Sequence, residues 1–344
     1  MLKSLYPRFE QIIKEINFDI KDKDKTLNIL DDDYKFNFST KDLIKFRNYK
    51  KIVIIGMGGS ILGSEAIYFF FKKKIKKKIY FLNNLDEKEI TDIKKNIIIN
   101  KTLFLIISKS GNTLETIANT FFLKILKKNA KNIILISEKK DNIIYSLSKK
   151  LNLFHIEHKE FIGGRYSVLS ETGLIPAFLM GLNIKNFRKK IKSHLKGKNK
   201  QNLKKNVLYM SKLIQEKKYH NLIFLNYVPE FEKFLFWCQQ LIAESLGKMK
   251  KGLLPIISNA PKDHHSLLQL YLDGPKDKLF LIFSSKENLK NKINSSIDSK
   301  KNVLHNKNLS FIKNAQKQAL IKSFEKNNIP FREFNIGKFN EERA

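Results

Sequence analysis

The sequence predicts an α/β protein of two doubly wound domains, each with a mainly parallel sheet flanked by helices. Three observations predict it. The apolar run Leu103–Ile107 passes through Ser108-Lys109-Ser110-Gly111-Asn112-Thr113 into an amphipathic run from Leu114 to Leu126, a buried strand turning into a helix. An earlier β-branched run, Ile52–Ile55, ends in Gly56-Met57-Gly58-Gly59-Ser60-Ile61-Leu62-Gly63 and precedes a helical Ser64–Lys74. Strand patterns at Ile79–Leu82, Ile133–Ile136 and Leu153–Ile156 alternate with helical segments, the signature of a parallel sheet covered on both faces.

Ahead of this unit, Phe9, Ile12, Ile13 and Ile16 have helical spacing, and the polar Lys21–Lys35 reads as an irregular lead-in. The second half repeats the logic less regularly. Asn221–Asn226, Leu279–Phe283 and Pro330–Ile336 read as strands, Glu230–Lys248 and Phe311–Asn327 as helices. The composition shift between Gly181 and Lys200 places the expected domains at residues 1–185 and 186–344. The lysine-rich Lys185–Lys205 reads as a solvated helix surface or connector.

A chain of 344 residues with 42% hydrophobic composition can bury two cores. Its formal charge of +33 invites a polyanion as partner, but the cations are almost all lysines. Arginine occurs only at Arg8, Arg47, Arg165, Arg188, Arg332 and Arg343. Nucleic-acid readers use bidentate arginine on one face, so no specific nucleic-acid partner is expected. One cysteine, Cys238, excludes an intramolecular disulfide and a thiolate metal cluster. Met1–Tyr6 has a single lysine and no apolar core of signal-peptide length, and no apolar run approaches about 18 residues, so neither a signal peptide nor a membrane span is expected and the protein reads as cytoplasmic.

The turn at 108–113 offers three hydroxyls, a glycine, a lysine and the free N–H groups of a helix start, which together suit an anion such as phosphate. The glycine loop at 56–63 fails the dinucleotide fingerprint, because Ile61 takes the third glycine position and Asn83-Asn84 stand where an acidic residue is needed. Gly58, Gly59 and Ser60 instead offer close backbone approach at a strand end, and Gly63 close helix packing. Arg165, in Gly163-Gly164-Arg165-Tyr166-Ser167, supplies a planar, permanent charge suited to a developing oxyanion. On the helix 230–248, Gln240 and Glu244 lie one turn apart beside Trp237, and partial burial would make Glu244 a proton-transfer base. His264 and His265 diverge, so a shared metal is not expected, while one of them could act as acid or base and the other be structural.

Taken in order, five segments resemble the glucose-6-phosphate isomerase family, built from two sugar-isomerase (SIS) domains. They are Ile55–Ser60, Ser108–Thr116, Gly163–Ser170, Glu244-Ser245-Leu246-Gly247-Lys248 and Asp263–Tyr271. The resemblance implies interconversion of glucose 6-phosphate and fructose 6-phosphate without metal or cofactor. It assigns phosphate binding to Ser108, Lys109, Ser110 and Thr113, and the sugar site to Gly59 and Ser60. Glu244 would shuttle a proton through a cis-enediol, Arg165 would stabilise the enediolate, His265 would assist ring opening and Gln240 would contact the substrate. Because the family's histidine comes from a neighbouring subunit, the resemblance also implies a homodimer.

Family members continue past Asn335-Ile336 into a long helix and a segment bearing glutamine and lysine, whereas this sequence ends at Glu341-Glu342-Arg343-Ala344. Lys317 and Lys322 do not match that lysine, so impaired ring opening and an exposed dimer surface are expected. The alternative class is a non-catalytic SIS-type binder or regulator of sugar phosphates, which would need only the phosphate loop. Glu244, Arg165 and His265 together favour the enzyme.

Overall fold

The structure is a computed structural model and describes residues 2–216, 218–285, 291–294 and 303–337. The expected departure at Glu341–Ala344 lies outside the described residues. Nine strands run through it: β1 (Lys51–Ile55), β2 (Lys78–Leu82), β3 (Thr102–Ile107), β4 (Ile133–Ser137), β5 (Phe154–Glu157), β6 (Asn221–Asn226), β7 (Leu254–Asn259), β8 (Lys278–Ser285) and β9 (Phe331–Ile336) among the described residues. The helices are α1 (Leu2–Lys21), α2 (Thr40–Leu43), α3 (Leu62–Phe71), α4 (Glu87–Asn96), α5 (Leu114–Phe122) and α6 (Ile143–Lys150). They continue with α7 (Glu171–Leu179), α8 (Gly197–Gln215), α9 (Glu232–Leu246), α10 (His264–Asp273) and α11 (Leu309–Lys326).

The chain divides into two compact units, the first running to Lys212 and the second starting at Leu213. In the first, the strands pair in the order β2-β1-β3-β4-β5, all parallel. The sheet is buried on both sides, which is why β3 and β4 are continuous apolar runs rather than alternating ones. Ile52, Ile54, Leu103, Leu105 and Ile134 face one cluster with Ile67 and Phe71 of α3 and Leu174 and Ile175 of α7. Val53, Ile55, Phe104, Ile106 and Leu135 face the other, with Ile90 and Ile93 of α4. Strand order reverses between β1 and β3, and at the carboxyl ends of those two strands sit the glycine loop and the hydroxyl turn. That crevice is where open α/β sheets bind ligands.

The second unit repeats the pattern as β7-β6-β8-β9, again all parallel, with β6 and β8 flanking the reversal. Ile223, Leu225, Phe280 and Ile282 bury one face against Tyr271 of α10 and Leu320, Ile321 and Phe324 of α11. β7 is a strand the sequence reading did not anticipate. Pro255 interrupts its apolar run, and a proline in a strand is tolerated because β7 is an edge strand.

The units divide between residues 212 and 213, later than the expected boundary at 185–186. The intervening segment is packed onto the first unit. Phe187 joins its core, Leu208 packs with Phe9 and Ile13 of α1, and Lys200 and Lys204 pair with Glu10 at 2.6 and 2.9 Å. The lysines of α8 thus include structural ion pairs as well as a solvated surface. The irregular lead-in is likewise anchored, through buried Ile29, Asp31 and Tyr34. Burial raises the Asp31 pKa, but hydrogen bonds from Lys21, the Asp33 amide and Lys192 outweigh it and hold the carboxyl down at about 2. No helix among the described residues is long and apolar enough to cross a membrane.

Candidate functional site

In the first unit the hydroxyl turn closes on itself. Ser108 is buried, and its Oγ lies 2.9 Å from Thr113 Oγ1 and accepts the Gly111 N–H at 3.1 Å. Ser110 is exposed and accepts the Asn112 N–H. Thr113 occupies the N-cap of α5 without capping it, since its hydroxyl is turned toward Ser108. The first-turn N–H groups therefore carry no side-chain cap from Thr113 and stand at the positive end of the helix dipole, with Ser110 and Thr113 beside them.

The turn is held from behind by the β4–α6 connection. Asn142 caps α6 by accepting the Tyr145 N–H at 2.8 Å and donates to the Glu138 and Lys140 carbonyls. Ile144 N–H bonds the Gly111 carbonyl, and Ile143 N–H bonds Asn112 Oδ1 at 2.9 Å. Gly111 stands at φ +69, and a Cβ there would lie 1.8 Å from Asn142 Oδ1. Its small size serves this close approach.

Lys109 is turned away from the helix start. Its Nζ donates to the Glu160 carbonyl at 2.8 Å and lies 3.6 Å from the buried carboxylate of Glu138, which also pairs with Lys140 at 2.5 Å. Adjacent β3 and β4 bring Lys109 and Glu138 together, and the Glu138 N–H bonds the Lys109 carbonyl. His158 is buried nearby, with Nδ1 on the Lys159 carbonyl and Nε2 without a hydrogen-bond partner among the described residues. Burial first, then the Lys109 charge, push its pKa down to about 4, against the raising effect of that carbonyl and of Glu138.

The glycine loop and the Arg165 loop meet backbone to backbone. A Cβ on Gly59 would lie 2.1 Å from the Gly164 carbonyl oxygen, and Ser167 Oγ ties both loops by donating toward Gly59 O and Gly164 O. The glycine at 59 thus serves loop-to-loop contact, where the sequence reading had it approaching a ligand. Gly63 does serve helix packing, a Cβ there meeting Val168 at 2.7 Å. Ser60 is half-buried in the short 3-10 turn Gly58–Ser60. Arg165 is half-buried, its guanidinium 4.8 Å from the centre of the Tyr166 ring. The first unit therefore brings Gly59, Ser60 and Arg165 into joined loops, at the end of the sheet that also carries Ser108–Thr113.

In the second unit, α9 places Gln240 and Glu244 as the wheel predicts, with Gln240 Nε2 donating to Glu244 Oε1 at 2.9 Å. Glu244 is exposed rather than partly buried. Of the two histidines starting α10, His264 lies 2.9 Å from the Tyr227 hydroxyl through Nε2. Burial and then the neighbouring His265 lower its pKa, against Asp263. His265 is exposed, so the two have divided into a structural and an accessible imidazole. Sequence reasoning missed the residues that hold this connection. Asn259 donates through its side chain to Glu232 at 2.6 Å and through its backbone amide to Asp263 Oδ2 at 2.7 Å, while Asn226 donates to Asn259. Asn259 lies on unpredicted β7, Asn226 and Glu232 stand at the ends of neighbouring elements without a motif, and Asp263 opens the fifth family segment with no role assigned to it.

A sequence profile of phosphoglucose isomerase matches residues 39–258. A probable glucose-6-phosphate isomerase of Methanococcus maripaludis is 35% identical over 272 residues, covering 75% of this chain and 60% of that protein. The glucose-6-phosphate isomerase of Methanocaldococcus jannaschii is 35% identical over 230 residues, 65% of this chain and 57% of that one. The matches thus span 60% and 57% of the length of these curated relatives. Among solved structures, a hypothetical protein of Thermus thermophilus superposes with a TM-score of 0.83 at 22% identity, over 99% of this chain and 86% of that one. A glucose-6-phosphate isomerase of Chlamydia trachomatis gives 0.70 at 20% identity, over 88% and 63%. Both likenesses concern the fold.

Proposed function

This chain belongs to the phosphoglucose isomerase family, and from that premise we propose that it interconverts glucose 6-phosphate and fructose 6-phosphate. The observation that carries the reading is the uncapped start of α5, with Ser110 and Thr113 beside it and Ser108 bracing the turn, at the strand-order reversal. It supports binding of a phosphate dianion by the turn. Lys109 would contribute either its long-range charge or, on release from Glu160 O and Glu138, a direct contact.

Chemically, the Glu244 carboxylate would remove the C2 proton of the open-chain aldose. The C–H electron pair then forms the C1–C2 double bond while the carbonyl oxygen on C1 takes the charge. Returning the proton to C1, with loss of the O2 proton to O1, leaves the ketose, so atoms and electrons balance without a cofactor. Arg165 would oppose the enediolate charge with a planar donor. His265, the accessible imidazole, would carry the ring-opening proton, and Gln240 would orient Glu244 through their hydrogen bond and touch the substrate. Gly59 and Ser60 would line the sugar site. A homodimer in the cytoplasm fits the family resemblance.

The test is conversion of fructose 6-phosphate to glucose 6-phosphate by the purified chain, read through glucose-6-phosphate dehydrogenase. Glu244→Gln should lower kcat by about 10²–10⁴-fold with little change in substrate affinity. Turnover equal in the two proteins would remove Glu244 from the reaction. Substrate binding without any turnover in the unaltered chain would leave a binder in place of the isomerase.

A further inference from the structure

The first unit holds a second concavity that shares no residue with the loops described above. It is a groove of about 820 Å³ between the lead-in and the turn after α7, within the roughly 300–1,000 Å³ of small-molecule sites. One wall is a ladder of rings. Tyr34 and Phe36 meet edge to face at 5.1 Å, Phe36 and Phe38 lie 4.9 Å apart, and Phe178 also lines the groove. Two guanidinium groups extend this aromatic lining. Arg188 lies 4.9 Å from the Phe36 ring centre and Arg47 lies 5.0 Å from that of Phe178.

The charge is one-sided. Arg47, Lys185, Arg188 and Lys189 line the groove against one carboxylate, Asp32, which is already paired with Lys192 at 2.6 Å. Among the described residues the lining lysines Lys185 and Lys189 have no carboxylate partner; Arg188 is held in place by donating through Nη2 to the Ile29 and Asp31 carbonyls, and its buried Nε has no acceptor. Identity matters as well as charge. Only six of the chain's 66 cations are arginine, and two of the six stand in this groove. A guanidinium differs from an ammonium in stacking on flat rings and in gripping phosphate with two N–H groups. A flat ring bearing an anionic tail matches both parts.

We propose that this groove binds a nucleoside polyphosphate, its base stacked among the aromatic and guanidinium planes and its phosphates held by the groove's cations. The probe is ADP, titrated calorimetrically into the full chain at about 150 mM salt, where the general field of the protein is screened. ADP should bind about tenfold or more tighter than adenosine or inorganic pyrophosphate, because each lacks one half of the contacts. Phe38→Ala and Arg47→Gln should each weaken ADP about fivefold or more, by loss of one stacking or one charged contact. The exposed pair Lys185→Gln/Lys189→Gln should do the same without touching the core, and serves if either of the others fails to fold. Fructose 6-phosphate conversion should be unchanged in all of them.

Three results would overturn the proposal. Pyrophosphate binding as tightly as ADP would remove the stacked base. An equal loss in the remote pair Lys124→Gln/Lys127→Gln would reduce the effect to net charge. Loss of ADP binding in Ser110→Ala/Thr113→Ala would place the nucleotide's phosphates on the hydroxyl turn instead.

Discussion

At Gly111 the backbone stands at φ +69, a conformation that costs an L-residue roughly 1–2 kcal/mol. The larger constraint is contact, since a Cβ would reach 1.8 Å from Asn142 Oδ1, and Asn142 is itself fixed by side-chain hydrogen bonds to Glu138, Lys140 and Tyr145. Gly111→Ala should therefore displace the turn, weakening phosphate affinity by about tenfold or more and lowering the thermal midpoint. Removing the obstructing amide in Gly111→Ala/Asn142→Ala should restore part of the affinity. Fluorescence-monitored phosphate titration of the three proteins checks this, and an undisturbed Gly111→Ala would mean that the turn yields freely. The hydroxyls, the glycine and the helix start were legible in the sequence because they are near neighbours along the chain. The turn-back of Lys109 was not. Its partners Glu138 and Glu160 are distant in sequence and are brought to it only by the pairing of β3 with β4 and of β4 with β5. For Gly59 the motif was visible but its reason was not, because Gly164 approaches from a loop far along the chain.

At the scale of elements, β5 and its exit carry two histidines that the fold holds neutral. Burial pushes His155 down to about 4, helped by the Lys139 charge, and His158 to about 4 as described. Both titrate near 6.5 in the unfolded chain. Between about pH 6.5 and pH 4 the unfolded chain therefore binds protons that the folded chain refuses, and stability falls as pH drops through that window. Fully buried His158 contributes about 2–3 kcal/mol to this loss and partly exposed His155 less, because water screens it. The thermal midpoint should fall steadily from about pH 7 to about pH 4.5, and His158→Gln should flatten the decline even while starting lower. A variant whose midpoint tracks that of the unaltered chain would assign the acid lability elsewhere. The elements themselves were largely legible, since the double-sided burial of β1, β3 and β4 demands the continuous apolar runs seen in the sequence. β7 was not, because an edge strand escapes that demand and can carry Pro255.

At the scale of the whole molecule, the alternation of strands and helices announced two α/β units, but composition misplaced their division. The lysine content of Lys185–Lys205 resembles a linker, whereas the apolar residues within and after it, Phe187 and Leu208, decide where the segment packs. The same lysines contribute to a net charge of +33, whose consequences for folding and for ligand capture have opposite signs. Like charges spread over one surface repel, so screening should stabilise the fold. The Debye length shrinks from about 30 Å at 10 mM salt to about 8 Å at 150 mM, which silences most pairs beyond immediate neighbours. Over that range the thermal midpoint should rise by a few degrees. A sugar phosphate, however, is an anion drawn in by the same field, and screening removes that attraction. The value of kcat/KM should therefore fall severalfold as salt is added, through KM rather than kcat. Sodium fluoride serves as well as sodium chloride if the effect is ionic strength. A midpoint and a kcat/KM that moved in the same direction would mean that local ion pairs, such as those of Glu10 and Glu138, outweigh the net charge.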